Sequence, residues 1–288
     1  MKVRTFSVVC GTQACNGKCP FCVARMTPMQ GIAKSQSIDY RNLLVACRVA
    51  QKAETLTALI TGKGEPTLYP EMVSKYTYVL FRFFPLVELQ TNGLLLNTTK
   101  LDPYLKLWHK LGLSTISLSV VHYEDKLNSQ IYTAGKYTYN LTGIIRKLRA
   151  VGFSVRLSVI CLNDYIDNAM SIFRMIKYAL VNKVSQLTLR PMVLAQSTTD
   201  DGIRKWTEDH AIPEDKWRSI VHTIVDTGKG VLLRKLIHGG EVYDIHGQNV
   251  CFTNCLTIDP DMEELRQLIY FPDGSITHDW NYKGARLL

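Results

Sequence analysis

The chain has 288 residues, 46% hydrophobic and 20% charged, ordinary values for a globular protein with a sizeable core in one large α/β domain or two small ones. No apolar run approaches the roughly 18 residues of a membrane span, so no membrane role is expected. The net charge of +9 favours anionic partners, but the basic residues are scattered, and a solvated excess explains them before a nucleic-acid patch does.

Met1-Lys2-Val3-Arg4 leads directly into a β-like run with no signal-peptide cleavage pattern. The eight cysteines are therefore expected in a reducing interior, serving metals or catalysis, and the expected location is cytoplasmic. Val3–Val9 reads as the first strand. It runs into Cys15-Asn16-Gly17-Lys18-Cys19-Pro20-Phe21-Cys22, a loop carrying three thiols at spacing C-x3-C-x2-C. Three cysteines this close cannot all pair with one another, and one short loop can aim them at a common centre. Tyr40–Ala53 has apolar residues at helical spacing, with Ser37 or Asp39 as cap. Thr57–Thr61 reads as strand, Glu71–Phe83 as helix, Val87–Thr91 as strand, Leu101–Leu111 as helix and Ser114–Val120 as strand.

The alternation continues with a helix over Tyr139–Val151, closed by Gly152 as a left-handed cap. A strand over Ser154–Cys161 follows, then a helix over Ile166–Val181 and a strand over Ser185–Leu189. Six βα-type units in series imply a parallel sheet with helices outside it, an α/β partial barrel of six (β/α) units resembling part of a TIM barrel. Such sheets place ligands at the carboxyl ends of their strands. The cysteine loop, Gly62–Pro66, Thr91–Gly93, Ser117–Ser119 and Arg190 all fall there. Past Pro191 the rhythm changes. Residues 196–215 look like a surface loop, Pro213–Asp226 a helix and Val231–Leu236 a strand, and Val250–Leu288 is a tail with turn signals. The expected division is residues 1–191 as the core and 192–288 as a C-terminal extension covering the open side of the barrel.

Iron–sulfur clusters are normally held by four thiolates, and three protein ligands leave one metal position open, as catalytic sites do. A zinc site completed by Cys10 or a histidine, or three unrelated thiols, would also account for the triplet. The spacing and the aromatic Phe21 resemble the signature of the radical S-adenosylmethionine (radical SAM) family. Two further segments strengthen the resemblance. Thr61-Gly62-Lys63-Gly64-Glu65-Pro66 is similar to the family's Gly-Gly-Glu-Pro turn, with Lys63 in place of a glycine. Gln90-Thr91-Asn92-Gly93 resembles its Thr-Asn-Gly segment, although Asn-Gly is also a routine turn.

The resemblance covers about residues 3–191. It implies a [4Fe-4S] cluster on Cys15, Cys19 and Cys22 that cleaves S-adenosylmethionine reductively to a 5′-deoxyadenosyl radical, which abstracts hydrogen from a substrate. It further implies Gly64 and Glu65 at the cofactor's amine, and Asn92, Ser119 and Arg156 at its carboxylate and ribose. The Phe21 backbone would lie at the adenine, and Arg190 is a further candidate for the carboxylate. An electron donor such as flavodoxin or ferredoxin is implied as partner. Among branches, the pattern is nearest the cyclic-pyranopterin and peptide-maturing group, pointing to a nucleotide, RNA or peptide substrate. A glycyl-radical-enzyme activase is an alternative, and a zinc- or cluster-containing RNA-binding module is one of a different class. Cys47, Cys10 and Cys161 read as core residues. Cys251 and Cys255 would form an auxiliary cluster only with help from Cys10, Cys161, His238 or His246. Arg266, Tyr270, Asp273, His278, Asp279 and Trp280 either line a substrate cavity or form a solvated edge.

Overall fold

The computed structural model describes residues 2–27, 37–195, 198–236, 239–253, 264–280 and 287. Strand β1 (Lys2–Val9) leads through the cysteine loop into a one-turn helix, α1 (Val23–Met26). Then α2 (Tyr40–Lys52), β2 (Thr57–Thr61), α3 (Pro70–Leu80), β3 (Leu86–Thr91), α4 (Asp102–Lys110) and β4 (Thr115–Val120) alternate as expected. A helix that the sequence reading lacks, α5 (Asp125–Thr133), precedes α6 (Leu141–Val151), β5 (Ser154–Cys161), α7 (Ala169–Val181) and β6 (Gln186–Pro191). Local chemistry sets the boundaries. Asp39 accepts the Asn42 amide to start α2, Asn168 and Ser171 form a reciprocal capping box on α7, and Gly152 ends α6 at φ 112°.

Beyond β6 lie α8 (Asp201–His210), α9 (Glu214–Thr227), β7 (Val231–Lys235), β8 (Glu241–Ile245), β9 (Gln248–Phe252), β10 (Glu264–Tyr270) and the two-residue β11 (Ile276–Thr277). The surface loop expected over 196–215 is a correction: its middle is α8, capped by Asp200, whose carboxylate accepts the Ile203 amide at 3.0 Å. Ile203 and Thr207 are its buried residues, and the Thr/Asp/Gly-rich composition had hidden that short amphipathic pattern.

The sheet is open, in the order β11-β10-β1-β2-β3-β4-β5-β6-β9-β8-β7. Strands β1 to β6 are parallel throughout, β9 continues parallel beside β6, and β10 parallel beside β1. Residues past 191 thus lengthen the same sheet at both edges. Alternation along each strand divides the two faces. Val155, Leu157, Val159 and Cys161 of β5 join Ile116, Leu118, Leu187 and Leu189 in the core under the helices, with Cys10 and Cys47. Arg156 and Ser158 of β5, Ser117 and Ser119 of β4, and Thr188 and Arg190 of β6 take the opposite, concave face. Among the described residues no helix is long and apolar enough to cross a membrane.

Candidate active site

The chain leaves β1 through Gly11, whose φ of 78° only glycine adopts freely and where a Cβ would stand 2.2 Å from the Tyr69 ring. Tyr69 then fixes the loop, its hydroxyl 2.6 Å from Thr12 Oγ1, while Thr12 Oγ1 accepts the Ala14 amide at 3.1 Å. Further along, the Lys18 amide donates to the Tyr132 carbonyl (2.8 Å) at the end of α5, and the Cys22 carbonyl accepts from Arg25 as α1 begins. Phe21 is buried against Trp206 of α8, ring centroids 5.6 Å apart, and Arg25 pairs with Asp200 at 2.5 Å. The helix concealed in the sequence therefore closes one side of the cysteine loop.

Cys15 is exposed, while Cys19 and Cys22 are half-buried. Burial pushes the Cys19 thiol up strongly, and the charges of Cys22 and Cys15 push it further. Cys15, exposed as a residue but with its sulfur partly shielded by the surrounding loop, is raised by that shielding and by Glu65 and Cys22; the Gly17 amide at 3.3 Å and Asn92 Nδ2 at 3.7 Å from its sulfur oppose this. The three thiols thus lie within electrostatic reach of one another. Among the described residues no three His, Cys, Asp or Glu side chains gather around a point for a single ion. Ionising three neighbouring thiols is unfavourable unless a positively charged metal group takes them as thiolates. Three thiol donors with no fourth beside them among the described residues fit the chemistry of an iron–sulfur group that keeps one iron open better than that of a four-ligand ion.

The turn after β2 is pressed against this loop. A Cβ on Gly64 would lie 2.2 Å from the Ala14 carbonyl oxygen, and the Glu65 amide donates to that same oxygen at 3.0 Å. The Glu65 carboxylate is 3% exposed. Its Oε1 accepts from the Thr67 amide (3.0 Å), Thr67 Oγ1 (2.6 Å) and Thr91 Oγ1 (2.5 Å), and its Oε2 from the Asn92 amide (2.9 Å). Burial raises its pKa and these donors partly offset the rise. The side chain therefore braces the β2 turn against the end of β3, and the turn faces the loop with its backbone. Asn92 is also held by the protein: Nδ2 donates to Asn16 Oδ1 (2.8 Å), and Oδ1 accepts the Leu94 amide (2.9 Å).

On the concave face Arg156 sits early in β5, its Nε donating to Ser117 Oγ (3.2 Å) and its terminal nitrogen paired with Glu88 of β3. Glu88 drew no notice in the sequence; no local pattern links it to a residue 68 positions away. Arg190, at the carboxyl end of β6, donates to Ser158 Oγ, and among the described residues its buried Nε has no partner. The buried Tyr132 hydroxyl likewise has no partner among the described residues, and Arg190 is near enough to bias its ionisation. Ser119 pairs in register with Ser158, so Ser119, Ser158 and Arg190 lie together nearer the strand ends than Arg156 does.

Cys251 is buried on β9, where the charges of Arg156 and Arg190 reach it. Cys10 and Cys161 belong to the helix-side core and are turned away from it. Cys255 and His238 lie outside the described residues. Tyr270 also faces the helices, donating to the Asp39 carbonyl at 2.9 Å, whereas Trp280 packs on Phe271 of the inner face.

Residues 9–175 match the family described as the Radical SAM superfamily. No curated protein matches the chain. Among solved structures, Streptococcus suis SuiB bound to S-adenosylmethionine superposes with TM-score 0.65 at 13% identity, covering 98% of this chain and 61% of that one. SuiB bound to precursor peptide SuiA gives 0.63 at 13% identity, covering 99% and 62%. Methylornithine synthase (PylB) gives 0.55 at 13% identity, covering 90% and 74%. At such identities the likeness is one of fold, and the chain spans about six tenths of SuiB's length.

Proposed function

The chain belongs to the radical SAM superfamily, whose members are enzymes using a [4Fe-4S] cluster and S-adenosylmethionine, and from that premise we propose that Cys15, Cys19 and Cys22 are the cluster's protein ligands. When bound, cluster and cofactor supply reductive cleavage of the sulfonium to a 5′-deoxyadenosyl radical that takes hydrogen from a substrate. The chain's own residues hold, orient and shield. The backbone around Gly64 receives the cofactor's amine, with Glu65 keeping that turn rigid from below and Asn92 tying it to Asn16 of the loop. Ser119 and Arg190 meet the ribose and carboxylate. Arg156, which Glu88 holds deeper in the face, acts as a charged floor. Phe21 and Trp206 keep water from the adenine side.

The observation that carries this reading is the seating of the Gly64 turn on the cysteine loop, which leaves no space for a side chain. The substrate is a nucleotide, RNA or peptide with an anionic group. The excess of positive charge supports an anionic group. The precursor peptide bound by SuiB makes a peptide the first class to screen. Membership of an enzyme family leaves the zinc-module reading without support.

The test is anaerobic reconstitution with iron and sulfide, reduction with S-adenosylmethionine present, and chromatography for 5′-deoxyadenosine. Product from the wild type and none from Cys19→Ala is expected. Cleavage by both proteins alike, or iron uptake with no cleavage, would sink the assignment.

A further inference from the structure

Lys63 occupies the position where the family's turn has a glycine, and the side chain does not run to solvent. It is 4% exposed; its Nζ donates to Thr27 Oγ1 just past α1 and lies 5.4 Å from the centroid of the Trp280 ring. Among the described residues no carboxylate pairs with it. A buried ammonium is costly unless an anion or a full set of acceptors compensates it, and one hydroxyl and one ring face are a small return for three donors. Thr27 caps the far end of the one-turn helix α1 whose N-cap is Cys22, so the ammonium stands about one helical turn from that thiol. The lysine is thus turned toward the thiol loop from the side, anchored by residues on either flank.

We infer that Lys63 is a positioning residue that sets a fixed positive charge beside Cys22, so that the group held by Cys15, Cys19 and Cys22 accepts an electron more readily. The inference rests on the cluster assignment proposed above. One electron, from an electrode or from dithionite, adds one negative charge to the cluster and its three thiolates, with no bond made or broken. A neighbouring cation stabilises the reduced form more than the oxidised form, and cluster potentials respond to local charge in this sense. Because Lys63 lies on a turn whose next residue, Gly64, touches the loop backbone, the charge is held at a fixed position.

The experiment is a redox titration, followed by electron paramagnetic resonance, of the reconstituted wild type, Lys63→Met and Lys63→Arg without S-adenosylmethionine. Iron and sulfide are counted for each. Lys63→Met should keep its iron but show a reduced-to-oxidised ratio about tenfold lower at the wild-type midpoint, a shift of ~59 mV to more negative potential for one electron. Lys63→Arg should titrate close to wild type. Iron retained by Lys63→Arg but not by Lys63→Met would also support the inference, since assembly would then need the charge. A Lys63→Met midpoint equal to wild type overturns it, as does a Lys63→Arg shift as large as that of Lys63→Met. Loss of iron from both variants overturns it too, because shape would then be what matters. A wild type that takes up no cluster refutes the underlying cluster assignment, a failure distinct from these.

Discussion

Gly64→Ala isolates the contact between the β2 turn and the cysteine loop. The added Cβ would stand 2.2 Å from the Ala14 oxygen, 2.6 Å from the Thr12 oxygen and 2.8 Å from the Gln13 carbonyl carbon, where ordinary contact begins at 3.4 Å. All three are backbone atoms, so no side-chain rotation relieves the clash, and loop and turn must part by about 1 Å. Overpacking of this kind costs about 1–3 kcal/mol. Parting also loosens the Glu65 amide bond to Ala14, worth about 1 kcal/mol. The variant should therefore lose about 2–4 kcal/mol out of a typical ~5–15 kcal/mol and still fold. Urea unfolding under anaerobic conditions reads the loss, and iron per chain after reconstitution should fall with it. A Gly64→Ala protein within ~0.5 kcal/mol of wild type and carrying a full iron load would refute the packing argument.

Two further perturbations address the concave face and its rim. Arg156→Met strips the buried Glu88 of its charged partner, leaving it the Gln90 Nε2 donor at 3.2 Å, and should cost about 3 kcal/mol, while adding Glu88→Gln should restore most of it. A double-mutant cycle in urea checks this, and additive losses would mean that the pair is not coupled. His122, just past β4, is buried and accepts the Glu124 amide on Nδ1 at 3.0 Å, so its neutral ring is the folded form. Burial lowers its pKa, with the Glu124 charge partly opposing. The unfolded ring therefore protonates first on acidification. The stability His122 contributes is complete above about pH 6.5 and is lost as pH falls from there toward the folded value. His122→Asn should lose less stability than wild type between pH 7 and pH 5; equal losses would rule His122 out as the source.

The Glu65 and Arg156 assignments show how far residue chemistry alone reaches. The resemblance implies Glu65 at the cofactor's amine, whereas in the structure its carboxylate accepts from Thr67, Thr91 and Asn92 of the protein itself. For Arg156 the resemblance implies the cofactor's carboxylate or ribose, and a strand arginine by itself does not say which face it takes. Packing of Val155, Leu157 and Val159 under the helices turns it to the concave face, where Glu88 supplies the anion.

What the sequence by itself determined is what short-range pattern encodes. The alternating periods of strand and helix, the caps at Asp39 and Gly152, and the thiol triplet with its Gly-Glu-Pro turn each depend on residues a few positions apart. Only the tertiary structure decided the partners of long separation. It brought α8 against Phe21, seated Lys63 between Thr27 and Trp280, and added β9 and β10 to opposite edges of one sheet. The physical reason is that hydrogen-bonded ladders and buried charges are satisfied by whatever the fold brings near, and nothing in a local window records which distant residue that is.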